Sequence, residues 1–141
     1  MKKNKKVKEK VKVLCVCAKG INRSQYLAGY LKTKGYETRF GGVEGFNIGE
    51  EAPNPITQQD LDWADVVIIV RERLLKIVAR RFDLGDKQLV VLDVTDSIDL
   101  AVREMPELKD VTPLEFDKFW RKPRLREAIK PFLPLTKNNG K

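Results

Sequence analysis

Histidine is missing from all 141 residues, so no imidazole is available as an acid, a base or a metal ligand. Cysteine is nearly missing too. Only Cys15 and Cys17 occur, no disulfide framework can be built from them, and a reducing, cytoplasmic setting is the expectation. Two residues apart in an extended run, they are also badly placed to bridge each other. No apolar run is long enough to span a bilayer, and the lysine-rich start leads into a short strand rather than a signal-peptide core, so no membrane contact is expected. There is no internal repeat.

What remains suits one small domain. At 42% hydrophobic content the chain can fill a single core, placed here over residues 11–135. The net charge of +8 is lopsided: residues 1–12 hold seven lysines and one glutamate, residues 137–141 hold two more lysines, and these segments account for the whole excess. Residues 1–10 are therefore expected to form a basic, disordered arm and 136–141 a flexible tail. A partner for that arm would be nucleic acid or an acidic surface. No aromatic residue stands among those lysines, so base stacking has no support there.

Between the ends, strand and helix patterns alternate. Strands are expected near 11–17, 37–41, 66–70 and 89–93, with helices near 24–34, 57–63 and 71–82 between them. That order predicts an α/β fold, a four-stranded parallel sheet with helices on both faces. Ligands bind such sheets at the carboxyl ends of the strands. Farther on, Thr112-Pro113-Leu114-Glu115 is a helix start followed by apolar Phe116, Phe119 and Trp120, and a second helix is expected over 124–132. Residues 43–55, rich in glycine, acids and proline, read as a loop, with Phe46 either lining a site or pinning the loop down.

The most informative passage is Cys17-Ala18-Lys19-Gly20-Ile21-Asn22-Arg23-Ser24, at the turn from the first strand into the first helix. Backbone N–H groups at a helix start, curled into a nest, favour an anion. Arg23 adds a planar two-pronged clasp for phosphate oxygens. The same field favours a thiolate at Cys17, Ser24 can donate to that sulfur, and Gly20 permits the positive φ of a tight loop. The residues from Ala18 to Ser24 thus form a candidate phosphate cradle with a nucleophile at its floor. Cys15 reads as a buried packing residue.

These residues resemble the signature of the low-molecular-weight protein tyrosine phosphatases: cysteine, five residues, arginine, serine, just after the first strand. The likeness continues through Gly35–Gly42, Ile56–Val70, Arg71-Glu72-Arg73 and Leu89–Asp96, about residues 11–100 in all. It implies a phosphate-binding loop after strand 1 and a phosphomonoester hydrolase needing no metal or other cofactor, acting on phosphoprotein (phosphotyrosine or phosphoserine). In that chemistry Cys17 forms a phosphocysteine, Arg23 holds the equatorial oxygens, and Asp96 protonates the leaving oxygen and later activates water. Asp93 is the closest rival to Asp96 as the acid, with Asp99 also near. A loop aspartate can equally serve to bond its own backbone.

The departures from the pattern are specific. Ser97-Ile98 stands where the family commonly has an aromatic wall for the substrate ring, leaving Phe46 and Ile98 as wall candidates. Asn22 replaces a cysteine that often protects the nucleophile, Gly20 replaces the loop asparagine, and Phe40 stands where a supporting serine is common. Asn22-Arg23-Ser24 with Asp93–Asp96 also resembles, more distantly, the serine phosphatases of the RNA polymerase II C-terminal domain, which warns against assuming phosphotyrosine. Dual-specificity phosphatases carry histidine before the cysteine, where this chain has Val16. Two other readings stay open: a catalytically weak module that binds phosphorylated or acidic partners, and arsenate reduction, disfavoured because no resolving cysteine pair follows.

Overall fold

The computed structural model describes residues 9–137. Most of the expected arm and tail therefore lies outside the described residues. The ordered chain begins with β1 (Lys12–Cys17), α1 (Arg23–Thr33), β2 (Glu37–Gly42), α2 (Gln58–Trp63), β3 (Val66–Ile69), α3 (Leu74–Arg81) and β4 (Gln88–Val91). All four strands are parallel, in the order β2-β1-β3-β4. β1 is thus central, and the loop that follows it opens at the middle of the sheet's carboxyl edge.

Alternation along β1 builds a core on each face. Val13, Cys15 and Cys17 face one way, against Leu27 and Leu31 of α1 and Leu125 and Ile129 of a later helix. Leu14 and Val16 face the other way, against Leu61 of α2 and Leu74 and Val78 of α3. β3 repeats the pattern with Val66 and Ile68 on the first face and Val67 and Ile69 on the second. Helices therefore cover both faces, as the alternating sequence requires.

The third expected helix is shorter than its pattern. Residues 71–73 form a turn held by Leu74 N–H to Arg71 O (2.9 Å) and Leu75 N–H to Glu72 O (3.1 Å). Arg71 is drawn aside by Asp93, its Nε 3.0 Å from Oδ1. After β4, α4 (Ile98–Glu104) is an addition to the expected elements, capped by Ser97 Oγ, which accepts from Leu100 N–H at 3.4 Å. It leads to a 3₁₀ turn at Pro106–Asp110 and to α5 (Pro113–Phe116), whose Thr112 and Glu115 form a reciprocal capping box.

The two expected C-terminal helices are one continuous helical run. α5 passes through a π-helical turn (Asp117–Arg121) into α6 (Lys122–Ile129). Pro123 has no N–H to give and would crowd a regular preceding turn. Widening that turn relieves the conflict, and Lys122 N–H bonds Asp117 O, five residues back. Phe116 and Trp120 bury themselves with Ala101 and Leu108 in a separate small cluster. Phe119 stays half exposed. No helix among the described residues is long and apolar enough to cross a membrane.

Candidate active site

The loop after β1 is fastened from outside. Ala18 O accepts from Val43 N–H and Glu44 N–H, both at 2.8 Å, and Lys19 O accepts from Asn54 N–H at 3.4 Å. Gly20 O accepts from Asn54 Nδ2 at 3.1 Å. With three successive carbonyls turned outward, the planar trans peptide turns the following N–H groups inward. One of them is directly visible: Gly20 N–H donates to Cys17 Sγ at 3.2 Å.

Two glycines permit this packing. Gly20 has φ +82°, and a Cβ there would lie 2.5 Å from both Asn54 O and Gly42 N. A Cβ on Gly42 would in turn lie 2.3–2.5 Å from backbone atoms of Ala18, Lys19 and Gly20. The loop and the end of β2 touch backbone to backbone, so any side chain at either glycine would push them apart.

Cys17 sits at the floor, buried, its thiol donating to Ser24 Oγ at 3.1 Å. In a thiolate the same contact reverses and the hydroxyl donates to sulfur. Asn22 precedes α1 but gives the helix no side-chain cap, and the first turn carries no acid. The helix start is left available to an outside anion.

Arg23 opens α1 and is 2% exposed. Its Nη1 donates to Val94 O at 2.7 Å and its Nη2 lies 3.4 Å from Asp96 Oδ2. Its Nε is buried without a partner. Unpaired buried donors are rare and costly, and this one marks a place for an acceptor at the start of α1. Burial pulls the guanidinium below its ordinary pKa, opposed by the negative field of Asp96 and Cys17. It stays a cation, and the fit with a tetrahedral oxyanion is good.

Three of the named residues are thus brought together: Cys17, Arg23 and Asp96. Asp93 is engaged elsewhere, with Arg71 Nε and with Glu72 N–H at 3.3 Å. Asp99 lies in the first turn of α4. Ile98 is partly buried against the Ala101–Leu108–Phe116–Trp120 cluster, where its side chain serves packing. Phe46 is 70% exposed, which is no pin, and Lys19 Nζ stands 5.4 Å from its ring centroid. Cys15 is fully buried, and burial pushes its thiol far up, so it stays protonated. Among the described residues no group of three or more Cys, Asp or Glu side chains is arranged to hold a metal ion.

Two features lay beyond sequence reading. Asn54 also donates from Nδ2 to Phe40 O (3.2 Å) and accepts Gly42 N–H on its own carbonyl (2.7 Å), so one residue ties the loop to β2. Its only local signal is an Asn-Pro turn. Arg73 clasps Glu44 through both Nη atoms at 2.8 and 2.9 Å, joining the turn before α3 to the loop after β2. Glu44 is held below the usual carboxylate range by that hydrogen bond.

No family model and no curated protein matches the sequence. Solved structures do match the fold. The low-molecular-weight protein tyrosine phosphatase of Tritrichomonas foetus is 19% identical, over 90% of this chain and 96% of that one, with a TM-score of 0.59. A low-molecular-weight phosphotyrosine phosphatase of Vibrio cholerae O395 is 13% identical, over 88% and 97%, with a TM-score of 0.57. A thioredoxin-dependent arsenate reductase of Corynebacterium glutamicum is 18% identical, over 86% of this chain and 61% of that one, with a TM-score of 0.52. With its four parallel strands, two covered faces and cysteine-bearing loop after β1, the chain has the fold of the low-molecular-weight protein tyrosine phosphatases.

Proposed function

We propose that this chain is a cysteine-dependent phosphatase that hydrolyses phosphomonoesters, on phosphoprotein, through a phosphocysteine. Cys17 Sγ attacks phosphorus in line, forming the S–P bond as the bond to the leaving oxygen breaks. Asp96, acting as general acid, gives a proton to that oxygen. Arg23 offers Nε and Nη2 to two equatorial oxygens, while inward N–H groups of the loop take the rest. In the second half Asp96 accepts a proton from water, water oxygen attacks phosphorus, and the S–P bond breaks to return the thiolate and free inorganic phosphate.

The observation that carries this reading is the buried guanidinium with an unpartnered Nε, in the field of a sulfur that already receives a loop N–H. An aryl phosphate assayed in chelator should be turned over and vanadate should inhibit. Cys17→Ser should lose turnover, and Asp96→Ala should lower kcat by about 10²- to 10⁴-fold. Turnover undiminished by Cys17→Ser would refute the mechanism.

The substrate is read as phosphotyrosine or phosphoserine. On the acid side Ser97 caps α4, Ile98 packs inward, and the Trp120 ring beside the loop is buried, its Nε1–H donating to Thr95 O at 3.0 Å. Phe46, exposed and with its ring centroid 5.4 Å from Lys19 Nζ, is a ring free to touch substrate. A second reading, a binding module without effective catalysis, draws on the Asp96–Arg23 ion pair, in which the acid is already engaged and 41% exposed. In that case Asp96→Ala changes nothing. Arsenate reduction has no resolving thiol here, since Cys15 is sealed in the core.

A further inference from the structure

Two stripes of side chains run along neighbouring helices on the α1 face of the sheet. On α1 they are Tyr26 and Tyr30, with Lys34 at its carboxyl end; on α6 they are Lys122 and Arg126, with Lys130 just beyond. Each set repeats every fourth residue, so each is a single line along its helix. The lines touch: Arg126 Nη1 donates to Tyr26 Oη at 2.9 Å and Lys122 Nζ stands 5.5 Å from the Tyr26 centroid. Tyr26 and Tyr30 stack with centroids 6.2 Å apart, and Lys34 Nζ lies 5.0 Å from the Tyr30 centroid.

Several cations of this face have no carboxylate partner of their own among the described residues. Near the candidate site Arg23, Arg71 and Arg73 each have a carboxylate partner, as do Arg39 and Arg124. Lys122 has one too, Asp117 at 3.4 Å. Lys34, Arg126 and Lys130 have none within 4.0 Å among the described residues, and all three are exposed. α1 contains no acidic residue at all. The stripe ends where the chain enters the fold. Glu9, Lys10 and Val11 share a groove with Gly35 and Tyr36, directly after Lys34, and Glu37 N–H bonds Val11 O. Residues 1–8, outside the described structure, add five more lysines in sequence.

We propose that the α1–α6 stripe, Tyr26–Tyr30–Lys34 beside Lys122–Arg126–Lys130, is a binding surface for single-stranded nucleic acid. From Tyr26 to Lys34 it measures about 12 Å along the helix, room for two or three phosphates. An acidic peptide offers charge alone. A nucleic acid strand offers a charge and an aromatic ring per unit, which matches cations interleaved with tyrosines. The stripe begins one turn along α1 from Arg23, so a bound strand would lie beside the candidate site rather than in it.

The test uses the full chain and a fluorescein-labelled 20-mer of single-stranded DNA or RNA, followed by anisotropy across a salt series. The unaltered chain should bind, and the triple variant Lys34→Glu, Arg126→Glu, Lys130→Glu should bind at least tenfold more weakly. Its plot of log K against log salt should be shallower by about 2, at roughly 0.7 for each phosphate that is no longer neutralised. Far-UV circular dichroism and thermal midpoint should match the parent, and the single variant Lys34→Glu should show a smaller loss in the same direction should the triple variant not fold. No binding by the parent, or binding that neither variant alters, overturns the proposal. So does a polyglutamate of equal length competing as well as unlabelled oligonucleotide, which would point to an acidic protein instead.

Discussion

At Cys17 the sulfur is met by Gly20 N–H from the loop and by Ser24 Oγ from α1, two groups that are fixed before any substrate arrives. Their value lies in that fixity, since donors already aimed at developing charge cost no reorganisation during reaction. Asn54 supplies much of it. Removing its side chain in Asn54→Ala forfeits the bonds to Gly20 O and Phe40 O, worth about 1–3 kcal/mol together. The expected outcome is a lower thermal midpoint together with weaker vanadate inhibition, and a loss of stability with unchanged vanadate affinity would deny Asn54 a hold on the loop. Cys17, Arg23 and Ser24 could be read from the sequence because they lie within eight consecutive residues. Asn54 could not, because its partners lie 34 and 14 positions away and only folding brings them near.

Among the elements, the phosphate loop and the end of β2 act as one unit through Gly20 and Gly42. Gly20→Ala forces an L side chain into positive φ, costing about 1–2 kcal/mol from backbone strain alone, before the 2.5 Å approach to Asn54 O and Gly42 N is counted. Vanadate affinity should fall roughly tenfold or more, since 1.4 kcal/mol is a factor of ten. The Arg73–Glu44 clasp links the next two loops. Its carboxylate has a depressed pKa, so its stabilisation is present above the ordinary glutamate value of about 4.3 and is lost as pH falls through the lower, folded value. The clasp is partly exposed and contributes under about 1 kcal/mol. Thermal midpoints of Glu44→Gln and the parent should differ slightly at neutral pH and converge in acid; a gap that widens in acid would contradict the pairing.

Legibility at this scale followed hydrophobic period. β1, β3 and α1 announced themselves because buried residues recur at the spacing of one face. α4 did not, since only Ala101 of its seven residues is buried and the rest of the segment is mixed in charge. The joined C-terminal helix was hidden by Pro123, which reads as a break unless a π turn absorbs it.

The whole molecule is arranged around β1, whose residues from Val13 to Val16 are fully buried between two helical layers. Leu14 lies in the layer with α2 and α3, on the strand that carries the loop. Leu14→Ala should therefore destabilise by about 2–5 kcal/mol in denaturant unfolding. A change under about 1 kcal/mol would mean that the strand is less tightly enclosed than described. Parallel strands and covered faces followed from the alternation of strands and helices, whereas the strand order, and the meeting of the α1 tyrosines with the α6 cations, emerge only once distant segments are side by side.

Phosphoryl transfer to sulfur is the step on which the functional reading turns, and it can be caught directly. Asp96→Ala should be mixed with an aryl phosphate, quenched in acid within the first turnover and digested for mass spectrometry. The peptide containing Cys17 should carry one added phosphoryl group, absent from Cys17→Ser treated in the same way. Release of phosphate by the parent with no such adduct, or an adduct on any other residue, would contradict it.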